Sequence, residues 1–229
     1  MINIGTITFA LLGGILPALF WLTFWLREDN KHPEPRGLIL KTFLYGMMAV
    51  IVVLPFQKLV DNLLPGMTVG AIVWWVILEE IFKFTAAFMG GIKSVEDNEP
   101  IDPMIYMITA ALGFVALENA LFLIGPIIGE NITMSIITGN LRFIGASLLH
   151  VVSSGIVGVA LAFSFYKARR ERFVYTTIAL ILAVFIHTGF NLSIIYLGNS
   201  GTLFAFGLVW ISVVFLLLAF EKSKAISIA

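Results

Sequence analysis

Seven stretches of predominantly apolar sequence, residues 5–26, 38–60, 68–91, 103–128, 137–166, 173–197 and 201–220, take up nearly the whole chain. Each is long enough for the roughly 20 residues a helix needs to cross a bilayer. Lipid offers no partner to a backbone N–H or C=O, so only helices and closed barrels span it. Stretches of this length are helices rather than barrel strands of about ten residues. The sequence therefore predicts an all-α fold, a polytopic membrane helical bundle of about seven transmembrane helices, with 1–229 as a single transmembrane domain. Composition agrees, since 12% charged residues is about half the share of an ordinary soluble protein. The first stretch lacks a basic n-region and is longer than a typical h-region, so it is expected to be structure rather than a signal peptide.

The 14 basic and 14 acidic residues balance, which leaves no overall field for nucleic acid. The absence of Cys excludes disulfides, thiolate metal sites and a cysteine nucleophile. Basic residues cluster in alternate connections: Arg27, Lys31, Arg36 and Lys41, then Lys93, then Lys167, Arg169, Arg170 and Arg172, then Lys222 and Lys224. That places 11 of 14 on one side, and the opposite connections hold only Lys58 and Arg142. The positive-inside rule then predicts an N-terminus outside and a cytoplasmic C-terminus. Arg142 is expected to be an interfacial cation whose head group reaches for water. Ser154 and Gly158 have the spacing of a close helix contact, and Gly189 is expected to serve the same purpose.

The third stretch, VGAIVWWVILEEIFKFTAAFMGG, carries Glu79, Glu80 and Lys83 at its centre. Three such charges cost about 8 to 10 kcal/mol on the insertion scale, and the ten Leu, Ile, Phe and Val residues around them return about 3 to 6. Such a helix must hand its charges to neighbours or to a water-filled cavity, and intramembrane charges mark functional sites. Glu79 and Lys83, four apart, are expected to pair, leaving Glu80 to find another partner. Other stretches bring Glu118 and Asn119, His150, and His187 with Asn191 to a similar depth, so groups from four helices can meet in one layer.

Three chemistries suit such a layer. A carboxylate near imidazoles can act as general base on water while an amide or imidazole stabilises an oxyanion, which is peptide hydrolysis. The same groups can hold zinc, with Glu118, His150 and His187 as ligands, although no HExxH is present. Alternatively they relay protons or ions in a transporter, or belong to a non-catalytic membrane scaffold. No GxSxG elbow, P-loop or dinucleotide fingerprint occurs, and Ser147, Ser153 and Ser154 beside His150 are expected to bond their own backbone.

Four ordered motifs carry a resemblance: LEEIFKF at Leu78 to Phe84, GFVALENALFLIG at Gly113 to Gly125, His150 with SSGIVGVALAF at Ser153 to Phe163 after it, and HTGFN at His187 to Asn191. Together with WLREDNKHPEPRG at Trp25 to Gly37, they resemble the PrsW family of bacterial intramembrane proteases, related to the type II CAAX-prenyl proteases. The resemblance implies a multi-pass peptidase of the prokaryotic plasma membrane acting on a membrane-protein substrate, an anti-sigma factor in the family's own example. It implies that Glu79 and Glu80 are the double glutamate, His150 the middle histidine, and His187 with Asn191 the last pair. Glu118 and Asn119 match a pair particular to this branch, and Lys83 stands where the CAAX branch usually has arginine. On this reading Glu80 is the water-activating base, Glu79 is held by Lys83, His150 assists, and His187 and Asn191 are oxyanion or ligand groups. Lys83, Glu118 and Asn119 support them, and the cofactor is none or zinc.

Overall fold

The computed structural model describes residues 4–29, 32–129 and 131–226, except for the side chains of Ile132 and Asn199; Lys31, counted above among the basic residues, lies outside them. All regular structure among the described residues is helical: α1 Ile4–Trp25, α2 Arg36–Leu63, α3 Val69–Ala87, α4 Asp102–Ile128, α5 Ile132–Leu141, α6 Ser147–Phe163 and α7 Arg169–Ser223. Six helical segments are long and apolar enough to cross a membrane: Ile4–Asp29, Arg36–Leu63, Asp102–Ile128, Thr133–Phe163, Arg169–Gly198 and Ser200–Ser223. The seventh expected crossing is α3, set apart by its central charges. The Thr68 hydroxyl caps it by accepting the Ala71 N–H, and a π turn, Phe88–Ile92, prolongs it.

Two boundaries differ from expectation. The stretch read as 137–166 begins earlier and is interrupted: α5 and α6 are joined by a π turn, Arg142–Ala146, which rotates the face that α6 presents. The last two stretches are joined at Gly198, whose φ of 59° a side chain would make costly, and the chain turns there into the segment Ser200–Ser223.

Helix α4 is the hub. From Asp102 to Ala116 every residue is buried, and α1, α2, α3, α5 and α6 pack around it. Small residues let the backbones meet. A Cβ on Gly46 of α2 would stand 2.1 Å from the Ala110 carbonyl oxygen, and one on Gly158 of α6 would stand 2.7 Å from Met104 Cα. Gly158, with the fully buried Ser154, thus behaves as its spacing predicts. Gly189 does not: a Cβ there would meet nothing within 4 Å.

Ion pairs join the connections at one end of the bundle. Lys224 meets Glu28 at 2.9 Å, Arg172 meets Asp97 at 3.6 Å, and His32 meets Glu99 at 2.5 Å. The segments after α1, after α3, before α7 and after α7 therefore share an end, as alternate crossings require. It is the end with the basic connections.

Candidate active site

The three charges of α3 lie on two sides of the helix, and the neighbouring helices determine which charge goes where. Lys83 is fully buried and donates to Glu80 Oε1 at 2.6 Å; its Nζ also stands 3.0 Å from His150 Nδ1 and 3.5 Å from Ser153 Oγ. The expected pairing of Lys83 with Glu79 is therefore corrected. Positions three and four residues back both adjoin Lys83 on a helix, and α6 draws the ammonium towards Glu80. Glu80 Oε1 is shared with His187 Nδ1 of α7 at 2.7 Å.

Glu79 points elsewhere. Its Oε1 accepts from the Gln57 amide of α2 at 2.9 Å, and its Oε2 stands 3.7 Å from His187 Nε2. That second oxygen, like Glu80 Oε2, is buried and has no hydrogen-bond partner among the described residues. Glu79 also lines a cavity of about 650 Å³ between α2, α3 and α4, together with Gln57, Glu118, Trp75 and Phe114. The exposed Lys58 and Asp61, in the last turns of α2, line it as well. The cavity thus reaches the end of the bundle opposite the basic connections.

His150 completes the layer. Its Nε2 lies 3.2 Å from Glu118 Oε2, and its ring meets that of His187 edge to face, with centroids 4.8 Å apart. Since the Lys83 ammonium occupies Nδ1, the neutral imidazole carries its proton on Nε2 and donates it to Glu118. The corresponding argument for His187 puts its proton on Nδ1, facing the Glu80 carboxylate, and leaves the Nε2 lone pair towards Glu79. Of the serines, Ser153 and Ser147 donate as expected to backbone carbonyls, those of His150 and Arg142, at 3.2 and 3.0 Å, whereas the Ser154 hydroxyl is buried without a partner among the described residues.

Two participants were not foreseen. Arg142 is not an interfacial cation: its side chain is 16% exposed, its Nη2 donates to Glu118 Oε2, and its Nε donates to Asn119 Oδ1 at 2.5 Å. The π turn in which it stands and the carboxylate opposite draw it inward. Asn119 in turn donates to Ser147 Oγ at 3.3 Å, tying α4 to α6. Gln57 had no signal in the sequence beyond being polar near the end of an apolar stretch. Asn191 is half-buried on α7 and makes no hydrogen bond to the cluster.

The donor set also bears on a metal. Ligand atoms of Glu79, His150 and His187 lie within 4.8 Å of one another, and all three residues are buried. Two imidazoles and a carboxylate fit the ligand preference of a catalytic zinc. Lys83 already holds Nδ1 of His150, so Nε2 is the nitrogen that ring would offer. Glu79, rather than the expected Glu118, joins the two histidines in this set, and Glu118 Oε2 is bound to Arg142.

Comparison with known proteins gives one consistent result. Residues 34–219 match the model of the PrsW family intramembrane metalloprotease. "Protease PrsW" of Halalkalibacterium halodurans is 27% identical over 183 residues, covering 78% of this chain and 80% of that protein. "Protease PrsW" of Bacillus subtilis is 25% identical over 192 residues, 81% and 83% of the two chains. That of Clostridioides difficile is 24% identical over 184 residues, 77% and 75%. No solved structure matches the chain.

Proposed function

The chain belongs to the PrsW family of intramembrane proteases, and from that membership we propose that Glu79, on the wall of the cavity between α2, α3 and α4, activates the water that cleaves its substrate. The protein is a multi-pass membrane protease of a prokaryotic plasma membrane. The observation that carries the assignment of the base is the cavity wall: Glu79 and Glu80 each have a buried carboxylate oxygen without a partner among the described residues, and of the two only Glu79 lines the cavity.

Glu79 takes a proton from water as the water oxygen bonds to the peptide carbonyl carbon, and returns it to the leaving amine as the C–N bond breaks. Gln57 fixes the carboxylate through Oε1, and Oε2, 3.7 Å from His187 Nε2, is left free for the water. Glu80 does not act on water; it neutralises Lys83 and orients His187. The group assigned to the oxyanion is the Asn191 amide, half-buried one turn beyond His187, while His150, held between Lys83 and Glu118, positions the layer. Held by Glu79, His150 and His187, zinc would supply Lewis acidity and a more acidic bound water. Such zinc would be retained through purification by the wild type and lost in His187→Ala.

The substrate we assign is a membrane protein with a single spanning segment, of which the family's anti-sigma factor is one example. The cavity opens away from the basic connections. With those connections cytoplasmic by the positive-inside rule, cleavage falls towards the outer side. Cleavage of such a substrate in proteoliposomes tests the assignment. The wild type releases a fragment and Glu79→Gln does not; release by Glu79→Gln at the wild-type rate would show that another group is the base.

A further inference from the structure

A second set of acidic side chains converges at the end of the bundle that carries the basic connections. Asp29 closes the 3-10 turn after α1, Glu34 stands in the connection to α2, and Asp102 is the first residue of α4. One carboxylate oxygen from each lies within 4.8 Å of the other two. Asp29 is 5% exposed and Asp102 1%, while Glu34 is half-buried. Along α4 this set is about 24 Å from Glu118, at 1.5 Å per residue, so it is separate from the protease cluster.

Like charges this close and this buried repel strongly unless something neutralises them. Among the described residues no Lys, Arg or His forms an ion pair with Asp29, Glu34 or Asp102. Three nearby cations are engaged elsewhere, His32 with Glu99, Arg172 with Asp97, and Lys224 with Glu28 and Glu221, and Arg36, which lines a cavity with Asp29 and Glu34, is exposed and forms no ion pair with them. A hydrogen bond between the Glu34 and Asp102 carboxyls shares one proton and removes part of the repulsion, while the other polar contacts aim the oxygens and leave the Asp29 charge unmet. Asp102 Oδ2 accepts the backbone N–H groups of Asn98 and Glu99 at 2.8 and 2.6 Å, and the Tyr106 hydroxyl donates to Glu34 Oε2.

Asp29 supplies the observation that points to a ligand. Its Oδ2 is shut off from solvent and has no hydrogen-bond partner among the described residues, an arrangement that calls for an ion or a proton. The chemistry of the donors narrows the choice. Three carboxylates with no imidazole or thiolate suit a hard cation coordinated by oxygen and disfavour zinc. We propose that Asp29, Glu34 and Asp102 bind a hard divalent cation, magnesium or calcium, which ties the connection between α1 and α2 to the start of the central helix α4.

The test uses the full chain in detergent, stripped with chelator and desalted, with the metal alone as probe. Millimolar Mg²⁺ or Ca²⁺ should raise the melting temperature by about 5 °C, and the larger rise identifies the cation. Asp29→Asn and Glu34→Gln should each abolish the rise, while Glu79→Gln, in the other cluster, keeps it. Mn²⁺ titration followed by its paramagnetic resonance signal gives binding directly. The wild type should take up one equivalent displaceable by Mg²⁺ or Ca²⁺, with affinity weakened about tenfold or more in Glu34→Gln. No rise with either ion, a rise that persists in Asp29→Asn, or no stoichiometric Mn²⁺ uptake by the wild type would overturn the proposal. A melting temperature raised by acid alone and indifferent to every cation would show that protons, rather than a metal, occupy the cluster.

Discussion

Neutralising Glu80 and neutralising Glu79 are the same chemical change one residue apart, with different consequences for stability. Glu80→Gln preserves side-chain volume but removes the carboxylate at 2.6 Å from an ammonium that is 0% exposed. Removing one partner of a buried pair costs about 3–5 kcal/mol, because the other charge is left uncompensated. His150 Nδ1 at 3.0 Å and Ser153 Oγ at 3.5 Å remain as neutral acceptors, so the low end, about 3 kcal/mol, applies. In a chain of this size that lowers the melting temperature by about 6–12 °C. Glu79→Gln leaves no Lys or Arg unpaired, since the hydrogen-bond partner of Glu79 is the Gln57 amide and its other oxygen has none among the described residues. It should shift melting by less than about 2 °C. The assay is a thermal melt of both variants in the same detergent beside a cleavage measurement. Both variants should lose activity, and only Glu80→Gln should melt early. Equal melting points, or an earlier transition in Glu79→Gln, would refute the pairing and the division of labour built on it.

Three further outcomes are expected. Arg142→Gln frees Glu118 and Asn119 together, and should lower kcat by about 10–100-fold with KM little changed; wild-type turnover would show that the π turn places Arg142 without consequence for catalysis. Gln57→Leu removes the amide that fixes Glu79 and should lower kcat by about tenfold, whereas an effect on KM alone would make Gln57 a substrate contact. Burial raises Asp97 to about 7 despite Arg172 beside it. The folded state then holds more protons than the unfolded one between about pH 4 and 7, so this group makes stability fall as pH rises through that window. Melting in chelator should show that fall, Asp97→Asn should reduce it, and an identical pH profile for the variant would contradict the assignment.

The membrane fold was legible because its signal is coarse: runs of about 20 apolar residues leave few alternatives to helices in lipid. The cluster was legible for a related reason, since Glu79, Glu80, Lys83, Glu118, His150 and His187 are too costly in apolar stretches to lack a purpose. Their pairing was not. Lys83 adjoins both glutamates by helical spacing, and the choice was made by His150 on α6 and His187 on α7, more than sixty and a hundred residues away. Arg142 stood near the expected end of a stretch, where a cation usually reaches for water, and the π turn beneath it has no sequence signature. Gln57 is an ordinary amide near a helix end whose role appears only when α2 lies against α3. Gly189 misled because glycine in a membrane helix is common whether or not another backbone approaches it.

The most direct test of the central claim is a comparison of new N-termini among membrane proteins, read by mass spectrometry, in cells carrying the wild type and cells carrying Glu79→Gln at equal levels. Termini found only with the wild type are expected, mapping to one edge of spanning segments on the side opposite the basic connections. Identical sets of termini in the two strains, with both proteins folded and their native partners expressed, would contradict that claim.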